Sequence, residues 1–238
     1  MNRWLAQNGV CSRREAETLI TKGLVMIDGE RVDDPGRKIA SGQTLTVEAD
    51  SGPPPLTIMF HKPIGIVSAQ PEPGETPAAR LLTRKALIGE SDVIPGRDDR
   101  LAPVGRLDKD SRGLLILSQD GVVAKAVIGP TSELEKEYLV RVTGALGDKK
   151  LNRLRHGLSL DGRQLKPAKV TIVEPQQLRF VLREGRNRQI RRMCELLDLT
   201  VVDLMRIRVG PLTLNGLPEG RWRPLTAAER SALVSAPS

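Results

Sequence analysis

Residues 103–121, PVGRLDKDSRGLLILSQDG, decide how this chain is read. Leu114-Leu115-Ile116-Leu117 is an apolar run bounded by Gly113 and by the turn pair Asp120-Gly121, which predicts a short buried strand. Residues 105–112 ahead of it form a polar loop with two carboxylates, Asp108 and Asp110, and three cations, Arg106, Lys109 and Arg112. An acid on a loop rooted in a core strand is fixed at its base and open at its tip, which suits a reacting group. The same two residues can equally be turn formers, because Asp bonds readily to nearby backbone amides.

Outward from this stretch toward the C-terminus, residues 122–128 predict a helix and residues 136–142 a strand, with Tyr138, Val140 and Val142 on one face. Tyr138 is the single tyrosine of the chain and reads either as a core aromatic or as a special residue. A helix follows at 148–156, then strands at 170–173 and 178–182 around a turn at 175–177. Residues 179–192, RFVLREGRNRQIRR, hold six Arg against Glu184 alone, which is +5 of the chain's net +8. Ile190, Met193, Cys194 and Leu197 fall at helical spacing, so the apolar face packs and Arg188, Arg191 and Arg192 project elsewhere, near a helix start that favours anions. A solvated Arg face is the plain alternative. Unpaired like charges at helical spacing oppose it mildly. Strands at 201–209 and 212–214, the segment 220–225 and a helix opened by the capping box Thr226-Ala227-Ala228-Glu229 complete the chain.

Toward the N-terminus, residues 56–60 predict a strand that ends in HKPIG and resumes at 66–68, because Pro63 and Gly65 interrupt pairing. Residues 81–88 predict a short helix. His61 has no second ligand at metal-binding spacing. Residues 1–48 read as a small unit: a helix at 2–7, a second helix capped by Ser12 and Glu15, and a hairpin about Asp28-Gly29. Its seven Lys or Arg and seven Asp or Glu cancel, so composition leaves Arg13 and Arg14 as at most a local patch. The Pro-rich residues 50–55 predict a stiff linker. Several strands with few helices predict an α+β fold with a large mixed or antiparallel sheet.

Composition bounds the function. The net charge favours a polyanionic partner. Two cysteines without a CxxC or a nearby His argue against a disulfide framework and a zinc site, and fit a reducing cytoplasm. Neither a signal core nor a membrane-length apolar run is found, so no membrane partner is expected.

SRREAE followed by Ile20, Gly23 and VMIDG resembles the RNA-binding domain first described in ribosomal protein S-four, whose Arg-bearing helices lie on RNA. GRLDKDSRGLLILSQDG, EKEYLVRV and LREGRNRQIRRMCELL, with HKPIGIVS and GRWRPLT, together resemble the pseudouridine synthases. With the leading domain the resemblance is to the RsuA/RluB/RluE/RluF family, nearest its large-subunit, RluF-like branch. It implies an N-terminal α+β RNA-binding domain at 1–50 and a catalytic domain at 56–238 with a large, mainly antiparallel sheet. It implies that Asp108 is the catalytic carboxylate, that Arg191 is its basic partner and that Tyr138 stacks on the target base and moves a proton. Arg106 would enter the RNA stack the uridine leaves, and Lys62, Arg186, Arg188, Arg192, Arg13 and Arg14 would contact RNA. Asp110 is left to cap its loop. The carboxylate acts by attack on the sugar carbon or the ring, or by removing a sugar proton. The reaction is redox-neutral and intramolecular, so no metal or organic cofactor is expected. The expected partner is a ribosomal RNA stem-loop, met by a monomer.

Overall fold

The computed structural model describes residues 1–8, 10, 11, 13–48, 55–96, 99 and 101–235, with residues 7 and 14 by backbone alone. The expected Ser12 cap and most of the linker fall outside these residues. Helices α1 (Asn2–Gln7) and α2 (Arg13–Thr21) pack on a sheet of β1 (Val25–Ile27), β2 (Glu30–Arg31) and β3 (Leu45–Val47) in the order β2-β1-β3. Ala16, Leu19 and Ile20 of α2 meet Leu5, Val25 and Ile27 in a core of their own. Asp28 (φ 53°) and Gly29 (φ 83°) both take positive φ, which is the hairpin turn that matches strand twist.

The second part of the chain is built on one nine-stranded sheet. Its elements are β4 (Thr57–Lys62), β5 (Ala102–Val104), β6 (Arg112–Ser118), α3 (Gly121–Ile128), β7 (Lys136–Thr143) and α4 (Asp148–His156). A small hairpin, β8 (Ser159–Leu160) with β9 (Arg163–Gln164), stands apart from the sheet. Then come β10 (Lys169–Glu174), β11 (Gln177–Leu182), α5 (Gln189–Glu195), β12 (Thr200–Val209), β13 (Leu212–Thr213), β14 (Trp222–Pro224) and α6 (Ala227–Ser235). The strand order is β10-β11-β7-β12-β6-β4-β14, with β5 beside β6 and β13 beside β12. Among the described strand pairs only β6–β12 is parallel, so the sheet is mixed and mainly antiparallel.

Burial explains the uninterrupted Leu114–Leu117 run. Leu114 and Ile116 face a cluster with Val123, Val127 and Leu233, under α3 and α6. Leu115 and Leu117 face the other way, toward Ile58, Phe60, Leu82 and Trp222. A strand covered on both faces has no polar alternation to show. On that second face, farther along the sheet, Tyr138, Val140 and Phe180 meet Leu151, Ile190 and Met193 of α4 and α5. The two clusters flank a row of residues paired across four strands: Lys62 with Gly113, Gly113 with Arg206, and Arg206 with Tyr138. Gly113 takes φ 111°, and a Cβ there would lie 2.3 Å from the Arg206 carbonyl oxygen, so only glycine lets β6 and β12 approach as they do.

Local departures have identifiable causes. Residues 66–68 do not resume a strand. Gly65 turns at φ 87°, and Val67 forms only a lone parallel bridge to Pro77. Residues 81–88 are not an α-helix but the ends of two 3₁₀ turns, Ala78–Leu81 and Arg84–Ala86, the second capped by Thr83. The β8–β9 hairpin turns on Asp161 and Gly162, both at positive φ, and was unmarked by any apolar run.

Candidate active site

The loop between β5 and β6 is clamped to the molecule from several sides. Buried Ser68 Oγ donates to the Leu107 carbonyl at 2.6 Å and accepts from the Leu107 amide at 2.9 Å. The Gly65 amide donates to the Lys109 carbonyl, and the Ser111 amide to that of Asp108. Leu107 is buried beneath the loop as an apolar plug. Asp108 is the next residue, so its half-exposed side chain is carried on a backbone with little freedom.

Its nearest guanidinium corrects the expectation. Arg188, not Arg191, lies in ion-pair range of Asp108, with Nη1 at 3.6 Å. Arg188 also donates to both oxygens of Asp110, at 3.2 and 2.9 Å. Arg191 is buried and serves Asp110 and its backbone: Nε lies 3.3 Å from Asp110 Oδ2, and Nη2 donates to the Asp110 carbonyl and to Ser111 Oγ. Nη1 reaches Val201 on β12. Asp110 is therefore more than a turn cap, since two arginines of the α5 region converge on it. Partial burial pushes its carboxyl up, but the Arg188 hydrogen bonds and the charges of Arg191 and Arg188 outweigh this and hold it below the ordinary carboxylate value.

The arginine-rich run as a whole is compensated. Arg179 pairs with Glu137, Arg183 with Glu135, Arg186 with Glu184 and Arg192 with Asp161, besides the two arginines on Asp110. Arg186 also donates to the carbonyls of Leu160, Arg163 and Gln164. Arg186 and Arg192 thus hold the β8–β9 hairpin against α5 rather than standing free for phosphate. Lys62 likewise departs from the RNA-contact expectation. It is fully buried, and its Nζ donates to the carbonyls of Pro63 and Ile66, closing the HKPIG turn from inside. Burial lowers its pKa to about 8, against the opposing pull of Asp108, Asp110 and Glu219. Arg13 is exposed on α2, and the side chain of Arg14 lies outside the described set.

Asp108, Tyr138 and Arg191 do share one cleft. A cavity of about 440 Å³ is lined by these three together with Arg106, Arg188 and Arg206. That size suits a small polar ring system. Tyr138 is nearly buried in the floor, and Arg106 is exposed at the mouth. Arg206 was missed in the sequence. Its Nε donates to the Leu114 carbonyl at 2.7 Å and its Nη1 to the Arg106 carbonyl at 3.3 Å, so it spans the root of the Asp108 loop. The signal was present: an arginine in the apolar run Leu204-Met205-Arg206-Ile207 is a charge on a strand face with no solvent to meet it. Among the described residues, no group of three or more His, Cys, Asp or Glu is placed to hold a metal.

Set beside known proteins, residues 57–196 match the RNA pseudouridylate synthase family and residues 2–45 match the S4 domain. This chain belongs to the pseudouridine synthase family. It is 35% identical over 240 residues to the "Dual-specificity RNA pseudouridine synthase RluF" of Salmonella typhi, covering 96% of this chain and 76% of that one. It is 33% identical to "Ribosomal large subunit pseudouridine synthase B" of Bacillus subtilis, covering 96% and 93%. A solved structure described as a pseudouridylate synthase superposes with a TM-score of 0.69 at 26% identity, covering 98% of each chain. As a pseudouridine synthase the protein is an isomerase acting on RNA. Among its described residues no helix is long and apolar enough to cross a membrane.

Proposed function

We propose that this synthase isomerises a uridine of large-subunit ribosomal RNA, with Asp108 as the carboxylate that acts on the nucleoside. The observation that carries the proposal is the position of Asp108 on a clamped loop, at the cavity that Tyr138 floors and Arg106 borders. A uridine inside a helix cannot reach such a cavity, so it must leave its stack, at a cost of about a few kcal/mol. In this reading Arg106, exposed at the mouth, fills the gap it leaves. Tyr138 presents an aromatic face for the base and a hydroxyl for proton transfer. The large-subunit reading is supported by the name of the Bacillus relative, and RNA recognition by the S4 match at the N-terminus.

In this reading residues 1–50 are an RNA-binding domain and residues 56–238 the catalytic domain. Removing 1–50 then weakens RNA binding while leaving the cavity whole. The deciding experiment maps pseudouridine chemically in ribosomal RNA from cells with and without the gene, then repeats it with Asp108→Asn. The variant should lose at least about 10³-fold in rate, the scale of a lost acid–base group, with RNA affinity close to wild type. An Asn variant that still forms pseudouridine would move the chemistry to another residue.

A further inference from the structure

Arg206 is unlike every arginine of the 179–192 run. It is 3% exposed, and among the described residues no carboxylate lies within ion-pair distance of it. Nε and Nη1 hold the two carbonyls at the root of the Asp108 loop. Nη2, with two further N–H groups, has no hydrogen-bond partner among the described residues, although it is buried. A staple needs only the first two nitrogens. An unsatisfied buried donor on a cation costs more than on a neutral group, so its retention calls for an acceptor. Arg206 pairs with Tyr138 across β12 and β7, which sets both on the cavity face.

Lys136 lines the same cavity two residues before Tyr138. Its Nζ reaches only the Leu134 carbonyl, at 3.4 Å, and no described carboxylate pairs with it. Burial, and then the charge of Arg206, push its ammonium below the ordinary lysine value. A buried cation and a partly buried one therefore share a floor without a counter-ion of their own among the described residues. In a site shielded from water such charges act strongly on any negative charge that appears beside them.

We infer that Arg206, through Nη2, and Lys136 form a charge-stabilising pair for the carbonyl oxygens of the uracil ring as it detaches from the sugar. The inference rests on the isomerisation proposed above. When the C1′–N1 bond breaks, its electron pair stays with N1 and spreads onto O2 and O4. Asp108 answers the loss at the sugar, by bonding to C1′ or by taking the C2′ proton as a C1′–C2′ double bond forms. The ring turns, C5 bonds to C1′, and Asp108 leaves C1′ or returns the C2′ proton. The C5 proton is then lost and N1 gains one, so the product is an isomer of the substrate. From the breaking of C1′–N1 until C5 bonds to C1′ the ring carries a full negative charge that the bound uridine lacks. Donors meeting it there favour the step rather than the ground state.

The test uses the full-length enzyme in single-turnover reactions on two large-subunit rRNA transcripts, one with uridine and one with 5-fluorouridine throughout. Consumption of the target nucleoside, cut out in a nuclease fragment, is followed by chromatographic separation from its equal-mass isomer, with mass spectrometry to identify each peak. Fluorine draws electron density from the ring and stabilises its anion unaided. Arg206→Gln should therefore lose about 10²-fold on uridine, the scale of one missing oxyanion donor, and at most about 10-fold on 5-fluorouridine. Lys136→Met, on a partly exposed side chain, should show the same asymmetry, and it carries the test if the Arg206 variant lacks a cooperative thermal transition. Equal losses on both transcripts, or a loss confined to RNA affinity, would overturn the assignment and leave a purely structural staple. A wild-type enzyme that forms no pseudouridine would instead remove the isomerisation itself.

Discussion

The run 179–192 and Arg206 of β12 both place arginine near the cavity, and they use it in opposite ways. The run is conspicuous, six arginines in fourteen residues, yet each is matched by a carboxylate, five of them by one from elsewhere in the fold. Arg206 is inconspicuous in a mostly apolar strand, and unlike its neighbour Arg208, which pairs with Glu135 and Glu137, it is left without a carboxylate among the described residues. The difference teaches that charge density along a chain measures potential, whereas available charge depends on what the fold sets opposite. A matched guanidinium positions a loop or a hairpin. An unmatched one in a dry cleft can meet a substrate.

The comparison breaks first at Arg191. If its pairing with Asp110 and the loop backbone is structural, Arg191→Ala takes a donor from the Asp110 carbonyl and the buried Ser111 hydroxyl and should cost about 1–3 kcal/mol, read as a drop in denaturant midpoint at unchanged slope. A cost below about 1 kcal/mol would mean that the buried pairing is incidental.

Asp110 sharpens it through pH. Its folded-state pKa is depressed, so its contribution to stability is present above the unfolded value of about 3.9 and is lost as pH falls through the lower folded value. Wild-type stability should therefore decline more steeply below about pH 4 than that of Asp110→Asn. Parallel acid-denaturation curves would show that the two arginines do not hold this carboxylate.

The smallest effect belongs to Arg192, whose partner Asp161 is largely exposed. Arg192→Ala should change stability by about 0–1 kcal/mol. It should also lower the salt slope of RNA binding by less than about one, because the charge is already answered within the protein. A full unit would restore Arg192 as a phosphate ligand.

Legibility followed the range of the forces involved. The Thr226 box is present as read, with the Glu229 amide donating to Thr226 Oγ1 and the Thr226 amide to Glu229. The cap of α3 is Asp120, whose carboxylate accepts from the amides of Val122 and Val123. Each is settled within four residues. Residues 66–68 were misread because no strand pairs along them: Lys62 holds the Ile66 carbonyl, Val67 makes only its bridge to Pro77, and Ser68 is tied to Leu107. Lys62 and Arg188 were given to RNA because a cation in sequence carries no mark of its partner.

The sequence by itself determined most of the elements, the burial of the Leu114–Leu117 strand and the order of the motifs, since periodicity, capping and turn chemistry act between near neighbours, while the sharing of a site by Asp108 and Tyr138 was implied only by the family resemblance. Only the tertiary structure decided that Arg188 rather than Arg191 faces Asp108, that the arginine run is neutralised, and that Arg206 is not. Ion pairing is set by distance in space, and the partners here lie about eighty residues apart in the chain for Asp110 and its arginines. A carboxylate brought in by a sheet crossover leaves no trace next to the arginine it meets.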